Sequence, residues 1–276
     1  MKRVLENDFL KVTIDDHGAE LVSIYDKEKD REVIWQGDPR FWGRHAPVLF
    51  PNVGKHYGNH YRIGDKEYAS KQHGFARDTD FTCIDSTLDS VTHQIRSTEE
   101  TKEVYPFDFV LRIRHILKGR TLTVSWKVAN NSDTDMYFAI GGHPAFRVPV
   151  LPDTRRSDYR LTFDGQESLT YLLLDPESGT AKAEEKATLK LEMAPARLRI
   201  TCLTTMHWYL TIRSQGLASS CQTALLIWSC AVWDSPISGS GQLPRMPHLS
   251  AWSHGWDAAM IADSQEICRR NHLSII

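Results

Sequence analysis

The stretch from Phe109 to Val128 leaves the backbone little choice. Phe109, Leu111, Ile113, His115 and Leu117 recur at every second position, then Lys118-Gly119-Arg120 intervenes, then Leu122, Val124, Trp126 and Val128 recur the same way. A period of two puts each set on one face of a strand, whereas a helix would scatter it around its axis. Glycine supplies the positive φ of a tight turn at little steric cost, so the segment predicts a β-hairpin. Similar runs precede it. Leu10, Val12 and Ile14 share one face, and Leu21, Ser23 and Tyr25 are expected to share another after a turn at Asp16-His17-Gly18. Further turns are predicted at Ile63-Gly64-Asp65-Lys66, Asn130-Asn131-Ser132-Asp133 and Phe163-Asp164-Gly165-Gln166. Many short strands punctuated by turns predict an all-β chain, a large antiparallel β-sandwich or barrel. No segment before residue 190 holds helical periodicity for three turns, and the missing β/α alternation argues against Rossmann and TIM folds.

Composition narrows the partners. A chain of 276 residues with 41% hydrophobic content can bury a large core. Its 33 basic and 35 acidic residues leave a net charge of −2, which gives neither nucleic acid nor an anionic membrane anything to attract. The sequence has no GxGxxG and no Walker loop, so nucleotide use is not expected. No apolar run approaches the roughly 18 residues of a membrane helix, and the first residues lack the apolar core of a signal peptide, so a cytoplasmic location is expected. Five cysteines without CxxC spacing suggest neither a disulfide framework nor a zinc ribbon.

Near residue 193 the chain changes character. Residues 201–276 contain no lysine and only eight charged residues, against 60 in the first 200. The same tail holds five of the eight tryptophans, eleven serines and four of the five cysteines, with no sustained period of 2 or 3.6. Two units are therefore expected: residues 1–192 as the β-sandwich and residues 193–276 as an atypical tail with few core contacts.

Three segments are dense in glycine, ring-bearing and polar residues: Pro47 to Lys55, Gln72-His73-Gly74-Phe75-Ala76-Arg77-Asp78, and Ala139 to Phe146. Glycine allows close backbone approach to a ligand while a neighbouring side chain offers a proton or a hydrogen bond. A histidine beside glycine says little by itself, because most of the twelve histidines belong to surface or core. His56 and His60 could be read as metal ligands, but Lys55-His56-Tyr57-Gly58-Asn59-His60 is broken by glycine and gives no helical face, so no metal is expected. A Ser-His-Asp hydrolase is disfavoured, since no GxSxG elbow occurs.

Taken in order, four motifs resemble the aldose 1-epimerase (galactose mutarotase-like) family, in its bacterial branch associated with lactose-utilisation genes. They are Asn7-Asp8-Phe9-Leu10 with Gly18-Ala19-Glu20-Leu21, then Leu49-Phe50-Pro51-Asn52-Val53-Gly54, then the run from Gln72 to Asp78, then Gly142-His143-Pro144-Ala145-Phe146. The resemblance covers residues 1 to about 192. It implies an antiparallel β-sandwich with a sugar site, an isomerase activity, and no metal or organic cofactor. It further implies that His143 is the acid that protonates the ring oxygen and that His73 is the second catalytic histidine, which holds and polarises the sugar. Arg77, Asn52 and Lys55 are implied to line the substrate site. Lys55 departs from the arginine usual after that turn, replacing a planar fork by a point charge.

The family's catalytic base is a glutamate near the C-terminus in a segment like CLEPW, and no such segment stands here, so the base is unassigned. Glu266 is the only glutamate after Glu192 and its neighbours do not match. When codons are assigned freely and triplets are read from the third base, family-like text emerges in two windows. These run from Met193 to about Arg213 and from Met246 to about Cys268, the second containing CLEPW. The expectation is that the tail is an out-of-frame translation of the sandwich's last strands and that the chain as written lacks its base. The expected partner is a small-molecule sugar, an aldohexose or a hexose phosphate, the latter only if Lys55, Arg77 and Arg44 converge; neither nucleic acid nor membrane is expected. The alternative reading is a non-catalytic carbohydrate-binding β-sandwich.

Overall fold

The computed structural model describes residues 1–147, 149–154, 160–162, 168–175 and 177–190, and beyond these the short strands 197–199, 210–212, 226–228, 231–233, 260–262 and 267–274. The fold is all-β. Among the described residues the only α-helix is the six-residue Glu99–Val104, capped by Thr98, and single 3-10 turns lie at Tyr57–Asn59 and Ala76–Asp78. No helix among them is long and apolar enough to cross a membrane.

The first sheet is an antiparallel meander of Lys2–Glu6, Leu10–Asp15, Leu21–Asp26 and Arg31–Glu32. Leu10, Val12 and Ile14 are buried on one face, as their alternation predicts. The next strand differs: Leu21 and Ile24 are buried, while Ser23 and Tyr25 are only partly so. A β-bulge between Thr13 and Ile14 shifts the register there, and an extra residue in a ladder sends the following side chains to the opposite face.

The second sheet runs Ile267–Ser274, Thr121–Asn130, Phe109–Lys118, Ser90–Arg96, Thr82–Ser86. Its central hairpin forms where the alternation predicts it, with Leu111 opposite Val128, Ile113 opposite Trp126, His115 opposite Val124 and Leu117 opposite Leu122. Gly119 takes φ +54° in the two-residue turn. The inner face covers two cores. Leu117, Leu122 and Val91 pack on the first sheet with Leu5, Val12, Ile14 and Ile24. Phe109, Leu111, Ile113 and Trp126 join Phe50, Tyr105, Phe107 and Phe138 in an aromatic core. Each such ring withdrawn from water contributes about 1.5–3 kcal/mol.

A polar seam interrupts this inner face. His93 and His115 are fully buried with ring centroids 6.4 Å apart. Asp16 Oδ1 lies 3.0 Å from His93 Nε2, and the same carboxylate accepts two hydrogen bonds from Arg3, at 2.9 and 2.8 Å. The Arg3 hydrogen bond chiefly holds the Asp16 carboxyl well below the usual range. Burial lowers the pKa of His93 and, with the neighbouring His93 adding to it, that of His115 to about 3.

Beyond residue 193, Ile267–Ser274 pairs antiparallel with the hairpin's second strand, from Thr121 opposite Ser274 to Val128 opposite Ile267. Leu226–Trp228 runs parallel to Ile140–Gly142. The sequence predicts few contacts here, yet pairing needs only backbone donors and acceptors, and an open sheet edge offers these to any extended segment. The turn predicted at Phe163–Gln166, together with Glu266, lies outside the described residues.

Candidate active site

The motif segments are stitched together by their backbones. Val48–Leu49 pairs antiparallel with Ile140–Gly142, so that Leu49 faces Gly141 and Val48 faces Gly142. His143 N–H donates to the Pro47 carbonyl at 3.0 Å, and Ala139 N–H to Pro51 at 2.7 Å. The run from Gln72 to Asp78 docks on the same turn, with Phe75 and Ala76 N–H both donating to the Phe50 carbonyl at 3.0 and 3.1 Å. Gly74 permits this approach: it sits at φ +68°, and a Cβ there would lie 2.1 Å from the Phe50 oxygen. Gly18 closes the arrangement from the first sheet, donating to the Thr79 carbonyl at 2.8 Å. Glu20, which is buried, accepts the N–H groups of His45 and Ala46 at 2.6 and 2.8 Å and so fixes the approach to Pro47.

This stitching brings His73 and His143 together. Their ring centroids are 6.2 Å apart at 79°, and both side chains are buried, at 5% and 7% exposure. His73 has a left-handed backbone, φ +64°, unusual for a residue with a side chain. Its N–H donates to Gly54 O at 2.6 Å, and its Nδ1 accepts Gly54 N–H at 2.9 Å. A neutral ring accepting at Nδ1 carries its proton on Nε2, so His73 is set as an N–H donor.

Trp42, which sequence reasoning missed, stands beside them. Its ring lies 5.0 Å from His143 at 37°, and its carbonyl accepts the Trp35 indole N–H at 2.8 Å. A half-buried indole next to two imidazoles can stack on the apolar face of a sugar ring. The signal was present in Phe41-Trp42-Gly43-Arg44-His45, which has the same density of rings and glycine as the three segments singled out.

The other predicted lining residues serve the frame in this structure. Asn52 Nδ2 donates to Gly54 O at 3.0 Å and Lys71 O at 3.1 Å, tying its own turn to the loop that carries His73. Arg77 donates to Gln72 O at 2.8 Å. Arg44 donates to Asp78 at 2.6 Å, and Lys55 reaches Ser178 O at 3.3 Å. Arg44 and Arg77 thus share Asp78, whose other oxygen lies 3.8 Å from Arg77 Nε, while Lys55 turns to a different partner. His56 lies 2.7 Å from Ser70 Oγ and His60 3.8 Å from Glu67, and among the described residues no group of three His, Cys, Asp or Glu gathers as a metal site.

Known proteins give the arrangement a family. The family described as Aldose 1-epimerase matches residues 1–194. The chromosomal protein LacX of Lactococcus lactis subsp. lactis is 32% identical over 188 residues, covering 66% of this chain and 62% of the relative. The chain thus spans a little under two thirds of that curated relative. A galactose mutarotase related enzyme from Lactobacillus acidophilus has a similar structure, with a TM-score of 0.70 and 32% identity over 77% of this chain and 70% of that one. A galactose mutarotase-like protein from Lactobacillus casei gives a TM-score of 0.63 and 35% identity over 72% and 67%. With three of the motif segments joined around two histidines and the family match running through all four motifs, the chain belongs to the aldose 1-epimerase family.

Proposed function

We propose that the protein is a mutarotase, interconverting the α and β anomers of an aldohexose by acid and base catalysis. The observation that carries the reading is the meeting of His73 and His143 beside Trp42. In this reading Trp42 receives the apolar face of the sugar and the His73 Nε2–H holds an oxygen near the ring. His143 protonates the ring oxygen as the bond from C1 to that oxygen breaks. A base removes the proton of the anomeric hydroxyl, C1 turns about the C1–C2 bond, and the reverse transfers close the ring on the other face. Histidine suits the step because its pKa lies near the working pH. A neutral sugar is favoured over a phosphorylated one, since Arg44, Arg77 and Lys55 are already engaged by protein acceptors, the first two sharing Asp78.

The base is a glutamate that the tail, read out of frame after about residue 193, does not encode. The family match ending at residue 194, where the composition changes, supports this account. Loss of a general base typically costs about 10² to 10⁴ in rate, so the chain as written is expected to sit near background. The absent glutamate also favours the second reading, a carbohydrate-binding sandwich without catalysis. Polarimetry on freshly dissolved α-galactose and α-glucose tests both, using the chain as written, a frame-restored chain, and that chain with His143→Ala. Activity is expected only in the second. Equal activity in the first two refutes the frame account, and an unaffected His143→Ala refutes the mechanism. Sugar binding by the restored chain without faster mutarotation selects the second reading.

A further inference from the structure

The outward face of the five-stranded sheet, opposite the aromatic core, carries an unusual gathering of cations. Side chains alternate, so Val110, Arg112 and Arg114 point away from the buried row of Phe109, Leu111 and Ile113. The register places Arg96 and Ala129 beside Val110, and Gln94 and Lys127 beside Arg112. Arg112 and Lys127 are therefore direct cross-strand neighbours of like charge, with Arg96 on the diagonal. Such neighbours stand about 4.5–5.5 Å apart at Cβ and diagonals about 7–8 Å, a spacing at which like charges destabilise a sheet.

These cations line a groove of about 210 Å³, open to solvent, together with Val110, Ala129, Asn130 and Asn131. Among the described residues no carboxylate lines it. The nearby Asp108 is taken by Lys102 at 2.9 Å and by Ser97 at 3.0 Å. The half-buried Arg112 is oriented by its Nε, which donates to Gln94 Oε1 at 2.8 Å. Among the described residues its two terminal amino groups make no further hydrogen bond or ion pair. A guanidinium fixed at Nε presents those groups as a planar fork, which matches two oxygens of a phosphoryl or carboxylate group.

We propose that this groove is a binding site for a small multivalent oxyanion, with Arg112 as the fork and Arg96 as a flanking charge. The site stands on the sheet's outward face, apart from His73 and His143, and does not depend on the mutarotase reading.

Isothermal titration of the full chain in low-salt buffer with inorganic phosphate, pyrophosphate and malonate tests the assignment. Saturable binding of at least one anion is expected, tighter for pyrophosphate than for phosphate, and weakened by added sodium chloride. Arg112→Gln and Arg96→Gln should each weaken it about ten-fold or more, while Lys66→Gln, on the His60–Ala69 hairpin, leaves it unchanged. All three replacements are on the surface or half-buried, and unchanged circular dichroism confirms that each folds. Preference for pyrophosphate assigns a phosphoryl ligand, and preference for malonate a dicarboxylate. No saturation by any of the three anions up to about 10 mM, or affinity unchanged in Arg112→Gln, overturns the proposal.

Discussion

His115 should make the fold acid-sensitive well above the range in which carboxylates titrate. The side chain is 1% exposed, lies between Val91 and Val124 in register, and among the described residues its Nδ1 has no hydrogen-bond partner. Burial lowers its pKa from 6.5 to about 3. The imidazole is therefore neutral in the folded protein, while the unfolded chain takes up a proton as pH falls through 6.5. Stability is fully present above that value and is lost progressively on acidification until the folded-state value is reached. Going from pH 7 to pH 5 removes about 2 kcal/mol through this group alone, and the whole shift is worth about 5 kcal/mol by pH 3. His93, lowered mainly by burial, acts in the same direction. The perturbation is His115→Leu, which keeps the apolar row and deletes the titrating group. Urea unfolding at pH 7, 6 and 5, followed by tryptophan fluorescence, should show the parent losing about 2 kcal/mol more than the variant across that span. Parallel pH dependences for the two proteins would refute the reasoning, because they would mean that His115 is not held neutral by burial.

Other expectations concern neighbouring parts of the frame. Asp16→Asn removes the acceptor shared by Arg3 and His93 and should cost about 1–3 kcal/mol at pH 7 by the same unfolding assay. Because the folded Asp16 pKa is depressed, its contribution is present above about pH 4 and lost below it, so parent and variant should converge in strong acid. Gly74→Ala forces a Cβ against the Phe50 carbonyl at a positive φ and should cost on the order of 2–3 kcal/mol, lowering the thermal midpoint by roughly 4–10 degrees in differential scanning calorimetry. In the frame-restored chain, Trp42→Ala should weaken sugar binding up to about ten-fold and Trp42→Phe should recover most of it, measured as KM by polarimetry.

How much could be read in advance depended on whether a feature was local. The Phe109–Val128 hairpin was legible because its alternation and its turn are both set within twenty consecutive positions. The strand after Gly18 was not, because one extra residue near Thr13 and Ile14 moved Ile24 inward in place of Ser23 and Tyr25, and no local pattern announces a bulge. At the site, the motifs named the segments and the two histidines. They did not show that Asn52 ties Gly54 to Lys71, or that Trp42 lies against His143, since both depend on which loops the sheets bring together. The seam of Arg3, Asp16, His93 and His115 was equally hidden: four residues spread over more than a hundred positions meet only when the first sheet closes on the second.

Phe50 joins the neighbourhood of His73 and His143 to the interior through one residue. Its carbonyl accepts the N–H groups of Phe75 and Ala76, while its ring, wholly buried, touches Phe75, Tyr105, Phe109 and Phe138. The turn bearing His73 therefore has no independent hinge: releasing the Phe75 and Ala76 amides means dislodging a ring from the densest part of the core. Those two amides should exchange with solvent deuterium only through global opening, at the rate of the slowest strand amides rather than at a loop's rate. Substitutions in the Trp42 loop can therefore reshape the surroundings of the two histidines with little effect on the core, whereas substitutions around Phe50 would alter those surroundings and the lifetime of the fold together.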